Sequence, residues 1–291
     1  QKPVQCVPSC TNCVKTAHFI PFVPRKQRNW MKVFLVLNHL LLLGRSALTL
    51  TTTTSSSSSM AMNKDPNTNN DKSLMKKRIL CLHGRCQSGA MLSNKIAGAR
   101  KKMQRLYQLD FLDGPLVVQG QQQQQQDDDD DQKQLAWWER DEHGKHVHVQ
   151  ETLEYVIQST KGTEYDAILG FSQGGLLGTA LVLTGAFPTV KAVLTAGSPF
   201  VNDALECGEA LAPDPDTILR GKAVPKLHFA GETDAMVPVE STKRLCEEGG
   251  NGRLIVHEKG HLFPTKAAYV NEMLDFFATA LNDDGKNDEA S

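Results

Sequence analysis

The residues best suited to chemistry lie in one five-residue stretch, Gly170-Phe171-Ser172-Gln173-Gly174, with the pattern G-x-S-x-G. A serine between glycines can ride a turn tight enough to project its hydroxyl clear of the backbone, where it can attack an electrophilic carbon. Serine is a weak nucleophile unless a base takes its proton. Two downstream stretches offer partners, Gly231-Glu232-Thr233-Asp234 and Lys259-Gly260-His261. Asp234 would accept a hydrogen bond from one imidazole nitrogen of His261 and fix its tautomer, while the other nitrogen takes the Ser172 proton. Glu232 competes for the acid role and His257 for the base role. Asp234 is preferred because it lies deeper in its loop on a shorter, stiffer side chain, and His261 because His257 ends a strand-like run. The expected catalytic set is therefore Ser172, Asp234 and His261.

Acyl transfer also needs preorganised N–H donors for the developing oxyanion. The backbone of Gln173, directly after the serine, supplies one. The second is expected from Arg85, in Cys81-Leu82-His83-Gly84-Arg85, with Gly84 leaving the backbone free to aim the amide and His83 bracing the loop. Trp137, Trp138 and Phe200 are expected to wall the substrate pocket.

Two other patterns point to metal. His257-Glu258-Lys259-Gly260-His261 matches H-E-x-x-H, the mark of zinc peptidases, whose chemistry needs both histidines on one helical face. Here a β-like Leu-Ile-Val run precedes it, Gly260 interrupts it and Pro264 follows, so a helix is disfavoured. Cys6, Cys10 and Cys13 with His18 could form a metal knuckle, but no second ligand cluster accompanies them. No metal site is expected from either pattern. A zinc peptidase and a catalytically inactive binding protein on the same fold stand as the alternative readings.

The positioning elements follow from alternating short apolar runs and longer amphipathic ones. Strands are expected at Arg78 to Leu82, Tyr107 to Leu112, Asp166 to Leu169, Val190 to Thr195, Lys226 to Ala230 and Leu254 to Val256. Helices are expected at Ala90 to Leu106, Glu151 to Thr160, Gly174 to Leu183, Glu240 to Glu247 and Lys266 to Leu281. Strand and helix alternating at this spacing give an α/β fold with a mostly parallel sheet covered on both faces. Ligands in such sheets sit beyond the carboxyl ends of the strands, where Arg85, Ser172, Asp234 and His261 fall.

The ordered set of motifs resembles the FSH serine hydrolases, a family that includes fungal proteins and the ovarian-cancer-associated hydrolases. The resemblance rests on Ile79-Leu80-Cys81-Leu82-His83-Gly84 with Gln87-Ser88-Gly89, then Phe111-Leu112-Asp113-Gly114-Pro115, Ala136-Trp137-Trp138, the serine motif through Gly175, Gly231 to Asp234, and Gly260-His261. It spans about Lys76 to Leu281. It implies an α/β-hydrolase fold with a Ser-Asp-His triad at Ser172, Asp234 and His261, acting on carboxylic esters or thioesters without a cofactor. The partner so implied is a small-molecule acyl ester or thioester.

The rest of the 291 residues bounds these readings. A formal charge of −1, from 32 basic and 33 acidic side chains, gives no field that would gather nucleic acid. Of the seven cysteines, Cys6, Cys10 and Cys13 crowd the N-terminus and the other four are scattered, which does not read as a disulfide framework. Residues 1–73 read as a leader and Thr/Ser-rich linker, 74–284 as the hydrolase domain with a Gln/Asp-rich disordered insertion at 120–134, and 285–291 as a polar tail. The chain begins at Gln1 rather than Met, as a fragment or an uncertain gene start would. Arg25, Lys26, Arg28 and Lys32 precede an apolar stretch from Val33 to Leu43 that is shorter than the roughly 20 residues of a membrane span. It fits a targeting peptide, which would send the chain to a secretory or organellar compartment; an unused leader would leave it cytoplasmic. Composition leaves the oligomeric state open.

Overall fold

A computed structural model describes residues 76–118 and 133–282. The expected leader, most of the Gln/Asp insertion and the polar tail lie outside these residues.

The centre is a six-stranded sheet formed by β1 (Arg78–Leu82), β2 (Gln108–Leu112), β7 (Ala167–Phe171), β8 (Ala192–Ala196), β9 (Lys226–Gly231) and β10 (Gly252–His257). The strand order is β10-β9-β8-β7-β1-β2, and every pairing is parallel. Four short strands, β3 (Leu116–Val117), β4 (Leu135–Ala136), β5 (Glu139–Arg140) and β6 (His146–Val147), form two small antiparallel ribbons beside it.

Helices α1 (Gly89–Lys95), α2 (Ala97–Met103) and α8 (Ala267–Leu281) cover one face; α3 (Val149–Ser159), α4 (Gln173–Leu183), α5 (Asn202–Ala210) and α7 (Val239–Glu248) contribute to the other. The helix between α5 and α7 is α6 (Pro215–Ala223). Alternation along β1 divides the core. Ile79 and Cys81 join Leu92, Met103 and Phe277 on one side, while Leu80 and Leu82 join Trp137, Leu153 and Leu176 on the other. With both faces covered, the central strands are almost continuously apolar. The fold is an α/β-hydrolase fold.

Three departures from the expected elements have local causes. The helix expected over Ala90 to Leu106 is broken at Ile96 (φ −97°, ψ 17°). A β-branched residue two positions before Gly98 has little propensity to carry a helix through. α5 and α6 were not anticipated, because each carries a glycine that weakens its helical signal. A Cβ on Gly208 would lie 2.5 Å from the Ala180 carbonyl oxygen, and one on Gly221 would lie 2.3 Å from that of Val182, so both helices approach the α4 backbone closely. The start of α6 did carry a signal: Asp214 accepts from the Thr217 N–H at 2.7 Å, and Pro215 is the first helical residue. Among the described residues, no helix is long and apolar enough to cross a membrane.

Register levels the strand ends. Leu82 pairs with Gly170, Phe171 with Ala196, Ala196 with Phe229, and Gly231 with His257. The loops after β1, β7, β8, β9 and β10 therefore leave the sheet side by side at its carboxyl edge.

Candidate active site

Ser172 sits between β7 and α4 with φ 51° and ψ −118°, a conformation that costs a non-glycine residue of order 1–3 kcal/mol. Its neighbours make that turn feasible. A Cβ on Gly170 would fall 2.4 Å from the Gly174 carbonyl oxygen, and one on Gly174 would fall 2.3 Å from that of Leu82. Only glycine fits at either position. The turn is held from outside by the Ser172 N–H, which donates to the Ala196 carbonyl at 2.8 Å.

Three loops bring one serine, one histidine and one aspartate into a hydrogen-bonded chain. His261 Nε2 lies 3.1 Å from Ser172 Oγ, and His261 Nδ1 lies 2.7 Å from Asp234 Oδ2. Asp234 is held by its other oxygen, which accepts from the N–H groups of Met236 and Val237, each at 2.8 Å. With an ionised carboxylate at Nδ1, the ring proton belongs on that nitrogen, leaving the Nε2 lone pair for the serine hydroxyl. The Asp234 side chain is 1% exposed and that of His261 14%, so the pair is shielded while Ser172 stays partly accessible. The His261 ring also lies 5.0 Å, centroid to centroid, from that of Phe171.

The competing candidates lie elsewhere. Glu232 is exposed, and its N–H donates to the His257 carbonyl at 2.8 Å. His257 is the last residue of β10 and is buried; its Nδ1 accepts from the Lys259 N–H at 3.2 Å, and burial lowers its pKa. The H-E-x-x-H stretch is therefore a strand end and a loop, and its histidines do not share a helical face. Glu258 instead takes Lys266 and, at 2.8 Å, the Tyr269 hydroxyl, which ties the loop carrying His261 to the start of α8.

The loop after β1 approaches from the other side. Among the described residues, neither the Arg85 nor the Gln173 backbone N–H has a protein acceptor. Gln173 is the first residue of α4, where unpaired N–H groups and the helix dipole favour negative charge. The Arg85 side chain is 52% exposed and reaches Glu139 at 3.7 Å. His83 is buried, and its Nε2 accepts from the Gly114 N–H at 2.8 Å. That bond requires the tautomer protonated at Nδ1, which donates to the Gly84 carbonyl at 2.7 Å. Burial lowers the pKa of His83, which favours the neutral ring.

The tryptophans are not where a pocket wall would be. Trp137 is 0% and Trp138 3% exposed, and both belong to the core cluster under α3 and α4. Their bulk completes the core because β4, which leads into them, is pinned to the loop after β1: Gln87 and Leu135 exchange backbone hydrogen bonds at 3.3 and 3.0 Å. Phe200 is half-buried on the loop after β8, beneath the Arg244 guanidinium at 4.1 Å. Gly197 (φ 57°), on that same loop, also borders the site and was not among the expected residues: a Cβ there would lie 3.1 Å from Nδ1 and Cε1 of His261. A glycine ending a buried strand, in Ala196-Gly197-Ser198, was the available signal.

Comparisons with known proteins agree with this architecture. The family profile described as "Serine hydrolase (FSH1)" matches residues 73–273. A dihydrofolate reductase from Schizosaccharomyces pombe is 30% identical over 220 residues; the match takes in 70% of this chain but only 47% of that protein. The chain thus spans about half the length of that relative. Esterase OVCA2 from Bos taurus is 28% identical, with 69% of this chain and 96% of the relative covered. Among solved structures, acyl-protein thioesterase 2 from Zea mays superposes with a TM-score of 0.51 at 15% identity, covering 73% of this chain and 96% of that one, a likeness of fold. A profile match over residues 73–273 of 291, on a sheet whose strand ends carry the family's motifs in order, makes this chain a member of the FSH1 serine hydrolase family.

Proposed function

We propose that the chain cleaves carboxylic esters or thioesters of small acyl compounds through an acyl-enzyme formed on Ser172. The observation that carries this reading is the hydrogen-bonded chain from Ser172 through His261 to Asp234, at 3.1 and 2.7 Å. The esterase name of the bovine relative supports the same class of substrate.

In the first step His261 Nε2 takes the Ser172 proton as Oγ bonds to the acyl carbon, and the carbonyl π pair moves onto oxygen. Asp234 stabilises the imidazolium and keeps its ring in register. The N–H groups of Arg85 and Gln173 receive the oxyanion. Collapse of the tetrahedral intermediate breaks the bond to the alcohol or thiol, which leaves with the proton from His261. Water then repeats the sequence on the acyl-enzyme, giving the acid and restoring the serine. Apart from the substrate and water, these steps use only groups of the chain.

The test is turnover of p-nitrophenyl esters and acyl thioesters by Ser172→Ala. Loss on the order of 10⁶-fold is expected when a serine of this kind is removed. A folded Ser172→Ala protein that kept wild-type turnover would contradict the assignment.

A further inference from the structure

Trp137 has every polar atom engaged, and the bonds made by its two N–H groups lead towards the site. Its backbone N–H donates to Gln173 Oε1 at 3.0 Å, while Gln173 Nε2 donates to the Trp138 carbonyl at 2.7 Å. The Gln173 side chain thus pairs with this segment much as a neighbouring strand would. The Trp137 carbonyl accepts from the Thr152 hydroxyl. The indole Nε1–H donates to the His83 carbonyl at 2.7 Å, and the indole stacks on the His83 imidazole at 4.8 Å between centroids with 28° between planes.

His83 passes that constraint on. Its Nδ1–H holds the Gly84 carbonyl at 2.7 Å. The Gly84 carbonyl and the Arg85 N–H belong to one planar trans peptide unit and point in opposite directions. Fixing the carbonyl therefore fixes the direction of the Arg85 N–H. At the other end, the residue whose side chain grips Trp137 is Gln173, whose own backbone N–H opens α4. Trp137 spans the two amides.

We propose that Trp137 is a positioning residue that sets the mutual aim of the Arg85 and Gln173 oxyanion donors, a role that rests on the acyl-enzyme reading above. Phenylalanine at this position would keep the stacking on His83 and lose the hold on its carbonyl. That asymmetry accounts for a fully buried tryptophan beneath the loop, where no substrate reaches it.

The test uses the full chain with p-nitrophenyl butyrate as substrate and n-butylboronic acid as a tetrahedral analogue. Removing an oxyanion donor outright costs about 10²–10³ in kcat, so misaiming one by Trp137→Phe should cost on the order of 10-fold. KM should stay within about twofold, and the boronate Ki should rise by the same factor as kcat falls, because both report complementarity to the tetrahedral state. Gln173→Met, which keeps the backbone N–H and removes the grip on Trp137, should show the same split. The double variant should lose little more than the weaker single, as expected for residues acting as one unit. A folded Trp137→Phe protein with wild-type kcat and boronate Ki, or one in which KM rises at constant kcat as a substrate wall requires, overturns the proposal. If Trp137→Phe does not fold, an unchanged kcat and Ki in Gln173→Met overturns it. Failure of the acyl-enzyme reading looks different: turnover survives Ser172→Ala, and boronate does not inhibit the wild-type protein.

Discussion

Replacing Gly197 by alanine should separate backbone strain from misplacement of His261. At φ 57° a Cβ carries a left-handed penalty of about 1–2 kcal/mol. The new carbon would also lie 3.1 Å from Nδ1 and Cε1 of His261 and 3.6 Å from Asp234 Oδ2. Ordinary carbon contacts begin near 3.5 Å, so the ring must retreat by roughly 0.4 Å. It has no slack to do so, being bonded to Asp234 at 2.7 Å and to Ser172 at 3.1 Å. A misplacement of about 1 Å can cost 10²-fold in rate, so a shift of this size should lower kcat on the order of 10-fold. Gly162→Ala is the control: its φ is 82°, with nothing within 4 Å of the added carbon. The two variants should lose similar stability, about 1–2 kcal/mol each by urea unfolding, and only Gly197→Ala should lose turnover on p-nitrophenyl esters. Equal kcat in both variants would refute the claim that Gly197 sets the histidine's position.

Two further predictions concern pH. Burial lowers the pKa of His83 and of His228, the latter to about 3. Above pH 6.5 both are neutral folded or unfolded; below it the unfolded chain takes protons that the folded one refuses, so stability falls as pH falls. For His228 the slope approaches about 1.4 kcal/mol per pH unit between pH 6.5 and about 3, and His83 adds to it in the same direction. Urea unfolding between pH 5 and 7.5 should show this loss, and a flat profile would contradict the buried neutral assignment. Lys226 is 1% exposed and donates to the carbonyls of Gly221, Lys222 and Val224 at the end of α6. Burial pushes its pKa down to about 8 from 10.5. Between those values the unfolded chain holds the proton and the folded chain releases it, so raising the pH favours folding. Wild-type protein should gain on Lys226→Met by up to about 1.4 kcal/mol per pH unit from pH 8 to 10.5, whereas a constant difference would show that Lys226 keeps its charge throughout.

The residues of the candidate triad were legible because the chemistry proposed for them restricts sequence as well as structure. A nucleophile on a strained turn needs Gly170 and Gly174 where a Cβ would strike backbone, and that need survives as a motif. Asp234 and His261 were legible from order and from their places after strands. The parallel sheet was legible because strands buried on both faces read as apolar runs. Other features were hidden for physical reasons. Indole bulk marks Trp137 as apolar, but its value here lies in one N–H whose acceptor, the His83 carbonyl, is 54 residues away. α5 and α6 use glycine to approach α4, and glycine is the residue that weakens a helical pattern. Gly197 matters through the ring of a histidine on another loop, a contact that exists only once β8, β9 and β10 are in register.

The central claim, that Ser172 is a nucleophile activated by His261 and Asp234, is tested most directly by fluorophosphonate labelling followed by peptide mass spectrometry. The account predicts one stoichiometric adduct on Ser172, absent in Ser172→Ala and strongly slowed in His261→Ala. A folded protein that takes no label, or that carries it on another serine, would contradict it.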